Sequence, residues 1–387
     1  MIETGIPKLD EYLKGIPEGK SLLFQIQPGV EESNIGIHIL HHNLEKGLKG
    51  IYISSESSPK NLEKSFSEFG WDIKKYNNLV IVDGYSPLIG APSEQNYIVE
   101  EPHDIESYEE ILQEIFEKEK NGIIVFDSLS NIMDMCGERK ALEGIERINN
   151  EIKKEGFVAI YNFIAWPYKE SIMYKIKKIF NAIIEVELIE DKIARQCMRI
   201  KKNDWGGNEG KRLEFKIFKP EGIRIYFPKI CVIGPVRSGK TSFIRYISKS
   251  FVPVERLGTT VGIEYGIIDY KGYRAEVFGI PSHERFLPLI EKFLESAVGF
   301  ILVIDSTKPE DFKFAKEMIN KFGKVPYVIV ANKQDLPNAL RKKEIENMMG
   351  LDENVAIIEA VVKEGKGIFE SFEILSEKIL DYLNRSV

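Results

Sequence analysis

The segment that most restricts the fold of this 387-residue chain is residues 234–241, which read GPVRSGKT. Its glycines, lysine and threonine match the spacing G-x-x-x-x-G-K-[ST], and the apolar run at residues 229–233 directly before it predicts a strand. Glycines here let backbone N–H groups turn towards a phosphate, and the following helix presents its positive N-terminal end to the same anion. The segment therefore predicts a strand–loop–helix unit built around a phosphate group.

The side chains of this loop predict which atoms hold the phosphates and a metal ion. Lys240 is expected to reach the β- and γ-phosphates, and the hydroxyl of Thr241 is expected to bind Mg²⁺. The full set of residues expected around the phosphates is Gly234, Arg237, Ser238, Gly239, Lys240, Thr241 and Ser242.

A second motif, NKQD at residues 332–335, follows the strand-like run 326–331 and predicts selectivity for guanine. The carboxylate of Asp335 can accept hydrogen bonds from N1–H and the 2-amino group of guanine. Asn332 can bond the purine and steady the loop, and the stem of Lys333 can lie over the base. Adenine lacks the matching donors, so a buried Asp335 would be left unpaired at a cost of a few kcal/mol. GTP and GDP are the predicted ligands.

Residues 229–387 resemble the Ras-like small GTPases over the whole length of that domain. The segment TVGIEY at residues 260–265 is similar to the effector loop of that family, where the threonine binds Mg²⁺ and senses the γ-phosphate. The resemblance implies this role for Thr260, with Thr259 as the alternative. The fifth family element is weak, because Val361-Val362-Lys363 replaces Ser-Ala-Lys, but the backbone N–H of Val362 can still serve the guanine oxygen.

The segment FGIPSHERF at residues 278–286 resembles the second switch but departs from the family pattern at three positions. Gly279 replaces the aspartate that holds Mg²⁺ through water, and Ser282 replaces the glycine whose amide bonds the γ-phosphate. His283 replaces the glutamine that orients the attacking water, and translation GTPases carry a histidine there. His283 is therefore the catalytic candidate; the alternative is an exposed histidine without a catalytic task. Weaker Mg²⁺ retention and slow or differently gated hydrolysis are expected.

Glycine at the aspartate position, with proline two residues later, is also similar to divergent prokaryotic GTPases related to the polarity regulator of gliding bacteria. Those proteins work with small dimeric roadblock-type partners. The resemblance implies an effector or activating protein here, for which a roadblock-type partner is one candidate.

The first part of the chain resembles the KaiC/RecA-like ATPases. The opening residues 4–13, TGIPKLDEYL, are similar to the start of that family's domain, and residues 123–128, IIVFDS, resemble its Walker B strand with Asp127 at the magnesium position. Residues 51–59, IYISSESSP, resemble the strand that carries the catalytic carboxylates. Only Glu56 of the usual pair is retained, with Ser57 at the other place.

The phosphate loop of this first domain has been lost. Residues 26–33 read IQPGVEES, so Glu31 replaces a glycine and Glu32 replaces the phosphate-binding lysine. Two like charges roughly 4 Å apart repel by about 4 kcal/mol at an effective dielectric constant of about 20, which should prevent ordinary ATP binding. We expect a catalytically inactive relative. The alternative is altered ligand binding, in which Glu31, Glu32, Glu56 and Asp127 gather around a divalent cation or a cationic ligand.

Alternating strand-like and helix-like segments predict an α/β protein with two P-loop-NTPase-type domains, residues 1–226 and 227–387, each a mainly parallel sheet flanked by helices. A net charge of −7 argues against nucleic-acid binding. No signal peptide, lipidation motif or apolar run long enough to span a bilayer is visible, which predicts a cytoplasmic protein without an integral membrane segment. Without a working first phosphate loop, a nucleotide-bridged hexamer is not expected, and the oligomeric state stays open.

The leading hypothesis is a GTP-binding molecular switch with slow or partner-stimulated hydrolysis, whose first domain is a scaffold or interaction module. One alternative is a non-hydrolysing GTP-binding structural protein, which the altered second switch would suit. Another is an active KaiC-type ATPase regulated by the attached GTPase domain, against which Glu32 argues.

Overall fold

The computed structural model describes residues 1–30, 33–190, 194–256, 259–281 and 287–385. The chain divides into two compact units, Met1–Ile225 and Tyr226–Val387. Within the described ranges, no helix combines the length and the apolar character that crossing a membrane requires.

The first unit is built on a sheet whose central strands are parallel. The strands are β1 (Ser21–Ile26), β2 (Gly50–Ser54), β3 (Leu79–Asp83), β4 (Tyr97–Ile98), β5 (Gly122–Phe126), β6 (Phe157–Ile164), β7 (Ala182–Glu190), β8 (Ala194–Asn203), β9 (Arg212–Phe218) and the start of β10 (Gly222–Ile233). Their order is β10-β9-β8-β7-β1-β6-β5-β2-β3-β4. Pairing is antiparallel from β7 to β10 and parallel elsewhere.

Helices cover both faces of this sheet, as buried parallel strands require. They are α1 (Pro7–Leu13), α2 (Ser33–Glu45), α3 (Pro59–Glu68), α4 (Ile105–Lys118), α5 (Leu129–Cys136), α6 (Glu138–Glu155) and α7 (Glu170–Ile179), with 3-10 turns at Ile73–Lys75 and Pro87–Ile89. Helices α4 to α7 bury their apolar stripes in one core cluster, to which α6 contributes Ile145, Ile148 and Ile152 at helical spacing.

The second unit has a smaller sheet in the order β11-β12-β13-β10-β14-β15-β16. The bounds are β11 (Ser250–Arg256), β12 (Thr259–Tyr270), β13 (Tyr273–Gly279), β14 (Gly299–Asp305), β15 (Tyr327–Asn332) and β16 (Ile357–Glu359). Strands β10, β14, β15 and β16 pair in parallel, and β11–β13 form an antiparallel meander. Lys271 and Gly272 both have positive φ at the tip of the β12–β13 hairpin, as a type I′ turn requires.

The helices of the second unit are α8 (Lys240–Ile247), α9 (Leu287–Leu294), α10 (Phe312–Phe322), α11 (Lys342–Met349) and α12 (Ile368–Arg385), with 3-10 turns at Pro309–Asp311 and Val362–Glu364. Helices α9, α10 and α11 share one core cluster with alternate residues of the parallel strands. Helices α8 and α12 pack against each other and against the sheet, and α12 covers Gly299 of β14. Both units thus have the predicted α/β layering, which places loops with binding potential at the carboxyl ends of parallel strands.

One buried histidine links distant segments of the first unit. His38 on α2 accepts a hydrogen bond at Nδ1 from the N–H of Ile223, and its Nε2 lies 3.3 Å from the carbonyl oxygen of Gly5. These partners assign the neutral ring with its proton on Nε2. Burial, the largest influence, lowers the pKa of His38 to about 3. The histidine is therefore structural rather than a metal ligand.

This histidine makes the first unit sensitive to acid. Because the folded pKa lies below that of the unfolded chain, the unfolded state binds the extra proton between about pH 6.5 and 3, and stability falls as pH falls. We expect His38→Gln to be less stable at neutral pH. Its free energy of unfolding should fall less steeply than that of the wild type over this window, by up to about 1.4 kcal/mol per pH unit.

Tryptophan fluorescence during chemical unfolding measures this effect, because Trp71, Trp166 and Trp205, the only tryptophans, all belong to the first unit. His103→Gln, which changes an exposed histidine, is the control and should follow the wild type. Parallel pH profiles for wild type and His38→Gln would contradict the assignment.

Candidate functional site

The predicted phosphate loop lies between β10 and α8 and has the backbone that such a loop needs. Gly234 and Gly239 have φ angles of 152° and 108°, in the region that favours glycine. A Cβ on Gly234 would overlap the carbonyl oxygen of Val303, and one on Gly239 would overlap the side-chain nitrogen of Asn332. Arg237 is exposed and has a positive φ of 65°. The glycines are thus required by close packing as well as by conformation.

Asn332 at the end of β15 ties this loop to two others. Its Nδ2 donates to the carbonyl oxygen of Ser238 at 2.8 Å, and its Oδ1 accepts from the N–H of Val362 at 3.0 Å. Asn332 and Ser238 are buried. The loop-steadying role predicted for Asn332 is therefore visible in its contacts, while its predicted bond to the purine stays a prediction.

The contact with Asn332 changes the expectation for Val362. The sequence predicts that the N–H of Val362 serves a guanine oxygen, but in the structure this N–H already donates to a side chain. A base oxygen at this position would have to share the donor with Asn332.

Lys240, the first residue of α8, folds back over the loop. Its Nζ donates to the carbonyl oxygens of Gly234 and Pro235, both at 2.8 Å. Burial lowers the pKa of Lys240 to about 8, against a smaller opposing influence from the carboxylates of Glu264 and Asp311. Thr241 and Ser242 follow in the first turn of the helix and are exposed. The lysine thus sits in the loop that is expected to receive the phosphates.

A buried carboxylate that the sequence did not point to fixes the position of Lys333. Asp305, at the end of β14, forms an ion pair with Nζ of Lys333 and accepts hydrogen bonds from the N–H and Oγ1 of Thr307. Burial raises the pKa of Asp305, but the bonds from Lys333 and Thr307 together outweigh it and lower the value. Lys333 itself has a φ of 69°. The ion pair holds the stem of the lysine beside the predicted base site.

The environment of Asp335 differs from the expectation. We expected a buried carboxylate that adenine would leave unpaired, but Asp335 is exposed and lies 2.6 Å from Nζ of Lys363. The hydrogen bond from Lys363 lowers the pKa of Asp335. Because the carboxylate is exposed and paired here, discrimination against adenine depends on the base itself covering Asp335.

The predicted switch residues are only partly described. Ser282 and His283 lie outside the described residues, and Thr260 belongs to β12 without a described side chain. Gly279 ends β13 and is buried. A Cβ there would overlap Cδ1 of Ile244 and lie 2.8 Å from Oε2 of Glu264. The side chains of Ile244 and Glu264 therefore lie where the side chain of an aspartate at position 279 would begin.

The first unit uses its Walker-B-like carboxylate to fix a turn. Asp127, after β5, accepts hydrogen bonds at Oδ1 from the N–H of Ser55 at 2.8 Å, from Oγ of Ser55 at 2.6 Å and from the N–H of Glu56 at 3.2 Å. Burial is the main cause that raises its pKa to about 7. Asp127 therefore stabilises the turn after β2.

Among the described residues, no group of three or more histidine, cysteine, aspartate or glutamate side chains is arranged to hold a metal ion. Oε2 of Glu56 and both polar side-chain atoms of Asn162 are buried without a hydrogen-bond partner. Glu31 and Glu32, on which the predicted loss of ATP binding rests, lie outside the described residues. The interpretation of the first unit as a catalytically inactive relative of the KaiC/RecA-like ATPases therefore stays a prediction from the sequence.

Comparisons with known proteins cover both units. A family model for the KaiC ATPases matches residues 2–230, and one for the ADP-ribosylation factor (Arf) family matches residues 224–379. UPF0273 proteins of Pyrococcus furiosus and Saccharolobus solfataricus are each 32% identical over 136 residues. The match covers 34% of this chain and 55% and 49% of those proteins. The chain thus spans about half the length of these curated relatives.

Solved structures show more distant likenesses. A KaiC-like protein of Pyrococcus horikoshii is 24% identical with a TM-score of 0.48, covering 57% of this chain and 96% of that one. The flagellar accessory protein FlaH of Methanocaldococcus jannaschii is 18% identical with a TM-score of 0.47, covering 58% and 97%. The family models confirm both resemblances drawn from the sequence and the predicted fold class.

The depressed pKa of Lys240 predicts proton uptake when a nucleotide binds. Anionic phosphates favour the charged lysine and raise its pKa, so at pH 8.5 a neutral fraction of Lys240 becomes protonated in the complex. We expect GDP binding at pH 8.5 to take up a fraction of a proton and to weaken as pH rises further. Calorimetric titrations in two buffers of different ionisation enthalpy measure this uptake. Lys240→Met should lose this proton uptake. If the wild type binds GDP at pH 8.5 without taking up protons, the lowered pKa of Lys240 in the free protein is contradicted.

Proposed function

We propose that this chain, which belongs to the KaiC ATPase family and carries a C-terminal Arf-family small GTPase domain, is a guanine-nucleotide switch with slow intrinsic hydrolysis. The observation that carries the proposal is the joining of three loops by Asn332, because it assembles the phosphate loop and the predicted base loop in one place. A glycine-rich turn that matched the motif by chance would not be bonded to an NKQD loop 94 residues away.

The residue roles follow from position and chemistry. Lys240 exchanges its two carbonyl partners for the β- and γ-phosphates, and the N–H groups of the loop bond the same anion. Asp335 exchanges Lys363 for the donors of guanine. Lys333, held by Asp305, lies beside the base.

Magnesium fits the residues that the chain presents, and we assign Thr241 and Thr260 to it. Thr241 is exposed in the first turn of α8, and its hydroxyl offers an oxygen, the kind of ligand atom that Mg²⁺ takes. When bound, the ion would neutralise charge on the β- and γ-phosphates.

Slow hydrolysis follows from the second switch. The glycine amide and the glutamine of the Ras-like pattern are replaced by Ser282 and His283. We assign His283 to orientation of the attacking water. The altered pattern supports a partner that completes the site, for which the roadblock-type protein implied by resemblance is our candidate.

We assign the first unit to a scaffold or interaction role. Support comes from Glu32 in place of the phosphate-binding lysine and from the use of Asp127 in a turn. The substitution at Gly279 favours one second candidate, a GTP-binding protein that does not hydrolyse its nucleotide.

Single-turnover hydrolysis by the purified full chain separates these two functions. We expect a rate on the order of 10⁻⁴ per second, similar to unassisted small GTPases. Thr241→Ala should abolish the Mg²⁺-dependent part, and His283→Ala should lower the rate about tenfold or more. The exposed Asp352→Ala is the control and should hydrolyse GTP like the wild type. Bound GTP without turnover would favour the non-hydrolysing protein, and absence of GTP binding would contradict both.

A further inference from the structure

We propose that Glu264 supplies the magnesium-site carboxylate that Gly279 no longer provides. This inference rests on the proposed function, because it concerns the ion that accompanies the nucleotide. In Ras-like GTPases an aspartate stands at the position of Gly279 and holds Mg²⁺ through water. In this chain the carboxylate has moved from β13 to the neighbouring strand β12.

The strand register places Glu264 at the missing side chain. Glu264 and Gly279 are directly opposite each other in the antiparallel pair β12–β13, so their side-chain positions share one face of the sheet. That face is turned to α8, because a Cβ on Gly279 would overlap Cδ1 of Ile244. Gly266 is two residues after Glu264 and therefore on the same face. A Cβ on Gly266 would overlap Oγ of Ser248, which directly follows this helix.

The carboxylate of Glu264 lies next to the position of the absent aspartate. Oε2 of Glu264 lies 2.8 Å from the point where a Cβ of residue 279 would stand. In an aspartate, the carboxylate oxygens lie about 2.4 Å from their own Cβ, given ordinary bond lengths. A glutamate oxygen therefore sits about as far from this point as the aspartate oxygen would.

The surroundings leave Glu264 available to a cation. Its charge acts on Lys240, since Glu264 is the first of the influences that oppose the lowering of the lysine pKa by burial. Glu264 is half-buried, and within the described ranges neither an ion pair nor a hydrogen bond engages its carboxylate. A partly buried carboxylate whose charge acts on the phosphate-loop lysine, and which has no partner among the described residues, suits an ion that brings its own water shell.

The substitution Glu264→Gln, which keeps the shape of the side chain and removes its charge, separates a magnesium-binding role from a purely space-filling one. If Glu264 only fills the volume beside Gly279, Glu264→Gln changes nothing. If the carboxylate helps to hold Mg²⁺, the same substitution lowers the affinity for the ion. The expected loss is about 10- to 100-fold, as for groups that act on a metal from its outer shell.

The test measures release of a fluorescent GDP analogue from the full chain across free Mg²⁺ from micromolar to millimolar. We expect Glu264→Gln to raise the Mg²⁺ concentration for half-maximal retention by about 10- to 100-fold. Asp269→Asn, on the same strand but paired with Lys249, is the matched control and should follow the wild type. Unchanged Mg²⁺ dependence in Glu264→Gln would overturn the proposal, as would a wild type that ignores Mg²⁺. Failure of the wild type to bind the analogue at all would instead overturn the proposed function.

A reciprocal variant keeps the test decisive if Glu264→Gln folds poorly. Gly279→Asp alone should fold less stably, because its Cβ would overlap Cδ1 of Ile244 and its carboxylate would meet that of Glu264. Glu264→Ala combined with Gly279→Asp returns the carboxylate to β13, and we expect near-wild-type Mg²⁺ dependence with melting above that of Gly279→Asp. A double variant that needs as much Mg²⁺ for half-maximal retention as Glu264→Ala alone would overturn the proposal.

Discussion

The two hydrogen bonds of one buried side chain, that of Asn332, hold together the loops on which the second unit's nucleotide site depends. One bond reaches the carbonyl oxygen of Ser238 in the phosphate loop, and the other receives the N–H of Val362. Gly239 packs so closely on the same amide that a side chain there would displace it. Without Asn332, two backbone groups would lose their partners, at roughly 1–3 kcal/mol for each one left buried. The predicted phosphate and base loops are thus joined by contacts within the protein itself.

The described strands and helices of the first unit are stabilised by apolar packing away from its altered phosphate loop. Its stability comes from buried parallel strands and the apolar faces of α4 to α7, none of which includes the altered residues Glu31 and Glu32. The carboxylate of Asp127 stays in place because it bonds the turn at Ser55 and Glu56. Asp127 therefore has a structural role in the turn that does not depend on a bound nucleotide.

Alternating strand-like and helix-like segments were sufficient to predict the α/β class. The strand-like runs 229–233 and 326–331 lie almost wholly within β10 and β15, as their apolar residues predict. Local pattern does not mark Ser250–Arg256 as a strand, because proline and charged residues interrupt it and its pairing with β12 is a tertiary interaction. Local pattern therefore predicts elements better than it predicts edge strands.

The candidate site was predictable where chemistry is written in contiguous motifs, and less so where it depends on distant residues. Lys240 and Asn332 came directly from their motifs. The pairing of Asp335 with Lys363 joins residues 28 apart, so the sequence suggested burial where the structure shows an exposed ion pair. Glu264 was read only as part of the effector-loop pattern, because its position opposite Gly279 appears only when the register of β12 and β13 is known.

The central claim is that one chain holds two nucleotide folds and only the second still binds a nucleotide. Equilibrium dialysis of the full chain with labelled GDP, ADP and ATP tests it most directly. The account predicts about one GDP per chain, a preference for GDP over ADP of about 10⁴, and loss of that preference in Asp335→Ala. It predicts no ATP bound in the first unit. ATP binding that survives Lys240→Ala would place a working site in the first unit and contradict the account.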